Sequence, residues 1–290
     1  MTWTLTGDID RFEEAAGAFL RARPTEHTVL LSVLLSVAAS LRAIGPDAYG
    51  DRAPWFGWWQ PAGRPVEAAV VRTPPRPALL SPMGDDAATA LVDALARRAL
   101  AVPGVNACRP AAEAYASAWR RRHGGMVATA ARRRLYRLGT LTPPEPAPPG
   151  AARPATFADR DLLLDWFAAF AADIGSPEPR GAGAVDDRLA DGRCTLWEVE
   201  GRPVSLAGIT RTVAGSARVA PVYTPPELRG RGYAAGVTSA LSRAARDSGA
   251  QEVLLFTDLA NATSNALYRR IGYRPVEDHV DLEFLPAGQD

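Results

Sequence analysis

The chain is poor in the residues that staple or ligate. It has two cysteines, Cys108 and Cys194, and three histidines, His27, His123 and His279. Two thiols so far apart build neither a disulfide framework nor a zinc ligand set, and the histidines show no ligand spacing, so no metal is expected. Reduced thiols suit a cytoplasmic setting. Long apolar runs are also missing. The most apolar stretch, Val29–Leu41, is broken by serines and falls short of the ~20 residues that cross a bilayer, so no membrane partner is expected. Met1–Gly7 is polar and lacks the basic start of a signal peptide. Charge of one sign is lacking too: 33 basic against 32 acidic residues leave a net charge of +1. That excludes a global attraction to nucleic acid. The basic runs Arg120–Arg122 and Arg132–Arg134 have no interleaved aromatics and read as solvated faces. No internal repeat at solenoid periods is seen.

What is present is enough apolar material, 47% of 290 residues, for about two domains. The segment Thr142–Pro149 reads TPPEPAPP. Proline fixes φ and removes donors, so this stretch reads as a stiff linker. The expected organisation is a 1–141 α/β domain, a 142–151 linker and a 152–290 domain. The first is expected to order its elements α-α-β-β-β-α-α-β. It has a helix capped by Asp8, a helix over Val29–Leu41, and strands at Trp55–Trp59, Val66–Arg72 and Ala78–Leu80. Helices over Asp85–Val102 and Ala111–His123 and a strand over Val127–Leu138 follow. In the second half, a helix over Asp159–Ala172 precedes a loop at Pro177–Ala184 and a helical turn at Asp186–Leu189. A hairpin of Cys194–Val199 and Pro203–Thr212 comes next, then a strand over Ala217–Tyr223 and a helix over Gly232–Asp247. The apolar run Val253–Thr257 reads as a strand covered on both faces. A helix over Asn261–Ile271 and a strand pair, Tyr273–Val276 and Val280–Phe284, close the chain.

One unit carries chemistry. A strand ends at Tyr223, and after a short loop Arg229-Gly230-Arg231-Gly232-Tyr233-Ala234 opens a helix. The first amides of a helix lack internal partners and sit at the positive end of its dipole. Glycines let that backbone approach an anion, and the arginines add charge. The combination is a candidate pyrophosphate cradle; the competing reading is an ordinary glycine-rich turn. No Gly-Lys-Ser/Thr follows, which excludes a Walker A loop, and no G-x-G-x-x-G stands at this turn.

Arg229-x-x-Gly232-x-Ala234 resembles the Arg/Gln-x-x-Gly-x-Gly/Ala signature of GCN5-related N-acetyltransferases (GNAT). Asn261, Ala266-Leu267-Tyr268 and Ile271-Gly272-Tyr273 follow, similar to that family's second motif. The run TSNALYRRIGY looks closest to the FR47-like or glycine-N-acyltransferase-like branch, in which a degenerate N-terminal copy precedes a functional one. The resemblance implies a C-terminal GNAT fold, a mixed and splayed central sheet flanked by helices, behind a smaller α/β domain. At that domain's equivalent position, Pro82-Met83-Gly84-Asp85-Asp86 lacks the signature and carries acids where phosphates would sit.

The resemblance further implies acetyl-CoA, or another acyl-CoA, as cofactor. Contacts are expected from Val222, Tyr223, Thr224, Arg229, Gly230, Arg231, Gly232, Tyr233, Ala234, Asn261, Asn265 and Tyr268. Tyr268 is the candidate general acid for the leaving thiolate, or else a packing tyrosine; Asn261 caps its helix or binds the cofactor. The strand before the loop lacks the glutamate many family members carry there. Glu198 and Asp258 are the other candidate bases, each more readily read as a surface carboxylate. Trp55, Trp58 and Trp59 are read as core residues before acceptor-pocket residues. The expected activity is acyl transfer to the amine of a small molecule or amino acid, by a monomer or homodimer. The alternatives are a protein acetyltransferase and a non-catalytic acyl-CoA-binding module.

Overall fold

The computed structural model describes residues 2–45, 49, 53–175 and 181–285. Half of the expected loop at Pro177–Ala184, residues 177–180, therefore lies outside the described residues; Ala182–Ala184 belong to a helix instead. The first half of the chain runs β1 (Thr2–Thr6), α1 (Ile9–Ala22), α2 (Thr28–Ile44), β2 (Trp55–Gln60), β3 (Ala68–Arg72), β4 (Ala78–Leu80), α3 (Asp85–Arg97), β5 (Gly104–Cys108), α4 (Arg109–His123) and β6 (Met126–Leu138). The second half runs β7 (Ala151–Pro154), α5 (Arg160–Asp173), α6 (Ala182–Ala190), β8 (Cys194–Val199), β9 (Arg202–Ile209), β10 (Ser216–Tyr223), α7 (Tyr233–Asp247), β11 (Glu252–Asp258), α8 (Ala262–Arg270) and β12 (Tyr273–Leu285). The class is mixed α/β, as expected. The two halves follow the same order of strands and helices.

Local signals explain much of this. The Asp8 carboxylate accepts from the N–H groups of Asp10 at 2.9 Å and Arg11 at 3.1 Å, starting α1. The apolar residues Phe12, Ala16 and Leu20 of α1 are fully buried. Three strands were not expected. β1 alternates, with Trp3 and Leu5 buried. β7 is a short edge strand paired antiparallel with β8. β5 was hidden because the helix before it stops earlier than expected. Ala99 takes the left-handed conformation (φ 52°), and the N–H of Leu100 donates to Leu95 O at 3.0 Å. That closes α3 with the bond pattern usually built on glycine. The expected final strand pair is instead one strand, β12. Between its halves Asp278 is gripped by both arms of the Arg134 guanidinium, at 2.6 and 3.0 Å, so the charged run 277–279 continues the strand rather than turning.

The chain divides into two compact units. Unit 1 comprises Met1–Arg134, Asp258–Ala260 and Glu277–Asp290; unit 2 comprises Leu135–Thr257 and Asn261–Val276. In unit 1 the strand order is β1-β2-β3-β4-β5-β12, with β12 antiparallel to β5. Its core joins Trp3, Trp59, Val70, Leu91, Tyr115 and Phe284. In unit 2 the order is β6-β11-β10-β9-β8-β7. One core there gathers Tyr136, Val237, Leu241, Val253, Tyr268 and Tyr273. A second lies under α5 and α6, around Leu163, Phe167 and Leu196. Each unit thus takes the strand beside its fifth from the other half of the sequence.

The proline-rich segment belongs to unit 2 and is packed there. Trp197 Nε1 donates to Pro149 O at 2.8 Å. Trp197 and Pro148 together leave no room for a side chain at Gly236 in the first turn of α7, where a Cβ would come within 2.9 and 3.0 Å of them. The turn after α8 is pinned to the start of the same segment. Gly139 N–H donates to Gly272 O at 3.0 Å and Thr142 N–H to Ile271 O at 3.1 Å. Gly272 has φ 104°, and a Cβ there would lie 1.9 Å from Thr140 O. Substituting Gly272→Ala therefore combines backbone strain with a main-chain clash. Urea unfolding is expected to show a loss of at least about 3 kcal/mol.

Candidate functional site

The site begins where two strands part. β10 and β11 pair in parallel from Ser216 opposite Glu252 to Val219 opposite Leu255. β10 continues to Tyr223 and β11 to Asp258, but the pairing does not. On its other side β10 shifts register against β9 between Val219 and Val222, a bulge that turns the strand. The β11-facing edge of Val222 and Tyr223 is left open. The end of β10 is held from behind. Ser205 Oγ donates to Tyr223 O at 3.0 Å and lies 2.8 Å from Thr224 Oγ1. Arg229 Nε donates to Thr224 O at 2.9 Å.

The loop then delivers the chain to α7. Gly230 (φ 78°) and Gly232 (φ 84°) both occupy the left-handed region, where a Cβ is strained. Gly232 is the N-cap, and no side chain caps the helix. The first bond into the helix runs from Gly236 N–H to Gly232 O at 3.1 Å. Among the described residues, the N–H groups from Gly230 to Ala235 meet no acceptor. Nothing comes within 4 Å of the space a Cβ on Gly230 would enter. This is a row of uncapped donors at a positive helix end, open to an anion. Arg231 Nη2 donates to Glu227 O at 3.2 Å. Arg229 also reaches outward: its Nη2 lies 2.6 Å from Asp173 Oδ2 on α5, and its guanidinium sits 6.0 Å from the ring centre of Tyr223.

The third part is α8. The Asn261 side chain accepts from Ser264 N–H at 2.9 Å, so its oxygen caps the helix. Asn265 is buried, and both ends of its amide are used internally. Tyr136 Oη donates to Asn265 Oδ1 at 2.8 Å, and Asn265 Nδ2 donates to Asn261 O at 2.7 Å. Asn265 and Tyr268 are the buried residues of α8. Tyr268 meets Tyr273 edge-on, centroids 6.0 Å apart. Its hydroxyl makes no hydrogen bond among the described residues. Burial pushes the Tyr268 pKa up to about 12, so the phenol keeps its proton at neutral pH. Tyr268 and Tyr233 belong to one apolar cluster, with Val222 packed against it. That cluster joins the strand end, the helix start and α8.

This arrangement has relatives. Residues 160–273 match the model of the Acetyltransferase (GNAT) family. Residues 160–273 form a GNAT domain. Solved structures share the fold over the whole chain. A GCN5-related N-acetyltransferase from Sphaerobacter thermophilus is 18% identical with a TM-score of 0.59, covering 99% of this chain and 97% of its own. An acetyltransferase from the GNAT family of Colwellia psychrerythraea is 12% identical with a TM-score of 0.58, covering 98% and 99%. A Drosophila malonogaster protein is 12% identical with a TM-score of 0.65, covering 98% of each chain. Among curated proteins, none matches this chain.

The two carboxylates expected as bases are both engaged. Glu198 lies 2.5 Å from Arg153 Nε, whose other arms hold Asp159 at 2.8 Å. Asp258 Oδ1 accepts from Ala260 N–H at 2.7 Å, and Asp258 belongs to unit 1. Trp58 and Trp59 are core residues, stacked near Phe12 and Trp3. Trp59 also helps line a cleft of about 440 Å³ at the start of α3, beside Asp85 and Asp86. Three of the six arginines in the basic runs face carboxylates: Arg122 faces Asp93, Arg133 faces Asp281 and Arg134 faces Asp278.

Sequence reasoning missed Tyr136, Asp173 and Ser205. Tyr136 stands 129 positions from its partner Asn265, and no local pattern links them. Removing its hydroxyl takes a hydrogen bond from a buried amide oxygen. Tyr136→Phe should lower stability by about 1–3 kcal/mol. Adding Asn265→Ala to it should cost clearly less than the two single losses summed, as a double-mutant cycle by urea unfolding would show.

Proposed function

We propose that the GNAT domain transfers an acyl group from acyl-CoA, acetyl-CoA first among them, to the amine of a small molecule. The observation that carries this reading is the row of acceptor-less amides from Gly230 to Ala235 beside the open edge of β10. The residues present fit a diphosphate: uncapped N–H groups, two left-handed glycines and two arginines. Acyl-CoA would supply a thioester, whose carbonyl is open to attack by a neutral amine.

The chain's own residues have distinct tasks. The amides of Gly230–Ala235 bind the diphosphate. The Val222–Tyr223 edge orients the pantetheine and points backbone donors at the reacting carbonyl, fixed in advance by Ser205 and Arg229. Tyr268 holds a proton on Oη, uncommitted to any neighbour, for the departing sulfur. Asn261 and Asn265 seat α8 rather than reaching outward, so in this reading they support Tyr268 and do not touch the cofactor.

The N-terminal half reads as a degenerate copy. It repeats the element order, yet its corresponding helix opens with Gly84-Asp85-Asp86, which repels phosphate. The near-neutral net charge, with three arginines of the basic runs facing carboxylates, supports an acceptor other than nucleic acid, and the two buried free thiols suit the cytoplasm. A second reading, acyl-CoA binding without turnover, is favoured by the engagement of Glu198 and Asp258.

Calorimetry with acetyl-CoA separates these readings. The wild type is expected to bind, and Gly232→Trp, which fills the cradle, to bind at least about 100-fold more weakly. Tyr268→Phe should bind as well as wild type but release CoA about 10²-fold more slowly in the presence of an amine panel. Binding with no release by any variant supports the second reading; no binding by wild type rejects both.

A further inference from the structure

The GNAT domain shows no unengaged carboxylate among those the sequence singled out, yet one carboxylate stands close to the working end of β10. Asp173, in the last turn of α5, faces Arg229, with Nη2 and Oδ2 2.6 Å apart. The same guanidinium lies over the Tyr223 ring and donates to Thr224 O. Tyr223 in turn meets Trp166, two turns before Asp173 on α5, with centroids 5.9 Å apart. The Asp173 charge is near enough to raise the Tyr223 pKa, second to burial. One carboxylate and two aromatic rings therefore surround the end of the strand that lines the acyl site.

Arg229 has two claimants. It opens the loop that presents the Gly230–Ala235 amides, so a diphosphate held there lies within reach of its fork. A guanidinium arm that binds phosphate cannot also serve Asp173, and phosphate carries more charge than a carboxylate. Both side chains of the pair are about half exposed, 49% and 46%, so either can swing.

We propose that Asp173 is the docking residue for the acceptor, a cationic primary amine with an apolar or aromatic body, and that Arg229 masks it until acyl-CoA binds. The inference rests on the acyl-CoA reading above. Bound diphosphate draws Arg229 away from Asp173. The freed carboxylate then takes the ammonium group, which gives up its proton to Asp173 or to water before the nitrogen attacks, while Trp166 and Tyr223 stack on the body and favour its charge. Cofactor and acceptor binding are thereby coupled, each strengthening the other by the same factor.

The test uses the full chain, CoA and 2-phenylethylamine, followed by calorimetry. Asp173→Asn is expected to bind CoA roughly two- to five-fold tighter than wild type, the scale of an exposed ion pair removed. Asp173→Glu should bind like wild type, which separates charge from fold. The amine should bind the wild type several-fold better with CoA present than without, and this gain should vanish in Asp173→Asn. If CoA binds wild type but Asp173→Asn binds it no tighter, or the amine is indifferent to CoA, the masking proposal is wrong while the acyl-CoA reading stands. If CoA does not bind the wild type, both fall.

Discussion

Among the described residues, the backbone of β10 beyond Val219 has no partner on its β11 side, and the proposed acyl-CoA site is built around that vacancy. An unpaired edge inside a sheet is costly unless something satisfies it. The bulge turns the strand away, Ser205 and Arg229 take its last carbonyls, and an apolar cluster supports it from below. The loop that follows adds a second unsatisfied set, the amides that open α7. An open strand edge and a row of helix-start donors lie in succession along the chain. A ligand with a carbonyl at one end and a diphosphate at the other satisfies both.

Packing makes the vacancy stable. Pro148 and Trp197 press on α7 at Gly236, one turn from the cradle, and so hold the helix start in register. Tyr136 on β6 secures Asn265, which in turn secures Asn261 and the first turn of α8. Tyr268 stands one turn further along the same helix. These supports come from residues on both sides of the proline-rich segment, which is why unit 2 starts at Leu135 and not after the prolines.

The parts legible in the sequence were those encoded locally. The glycines at 230 and 232 announced the left-handed turn that opens α7, Asp8 announced α1, and Gly249 (φ 93°) ends α7 with the same bonding that closes α3. At the α3 end the left-handed position is Ala99, which carries no such signal, and β5 was lost behind it. The charged middle of β12 looked like a turn because its partners Arg134 and Arg133 are more than 140 positions away. The same distance concealed Tyr136. The acids proved hardest to assign: Glu198 and Asp258 stood near the motifs, and only their bonds to Arg153 and Ala260 show what occupies them.

Hydrogen exchange read residue by residue, with and without acetyl-CoA, is the most direct test of the central claim. Amides with no acceptor exchange freely unless a ligand covers them. The account predicts fast exchange from Gly230 to Ala235 in the free protein, and strong protection of these amides once acetyl-CoA is added. Protection elsewhere, with these amides unchanged, would contradict it.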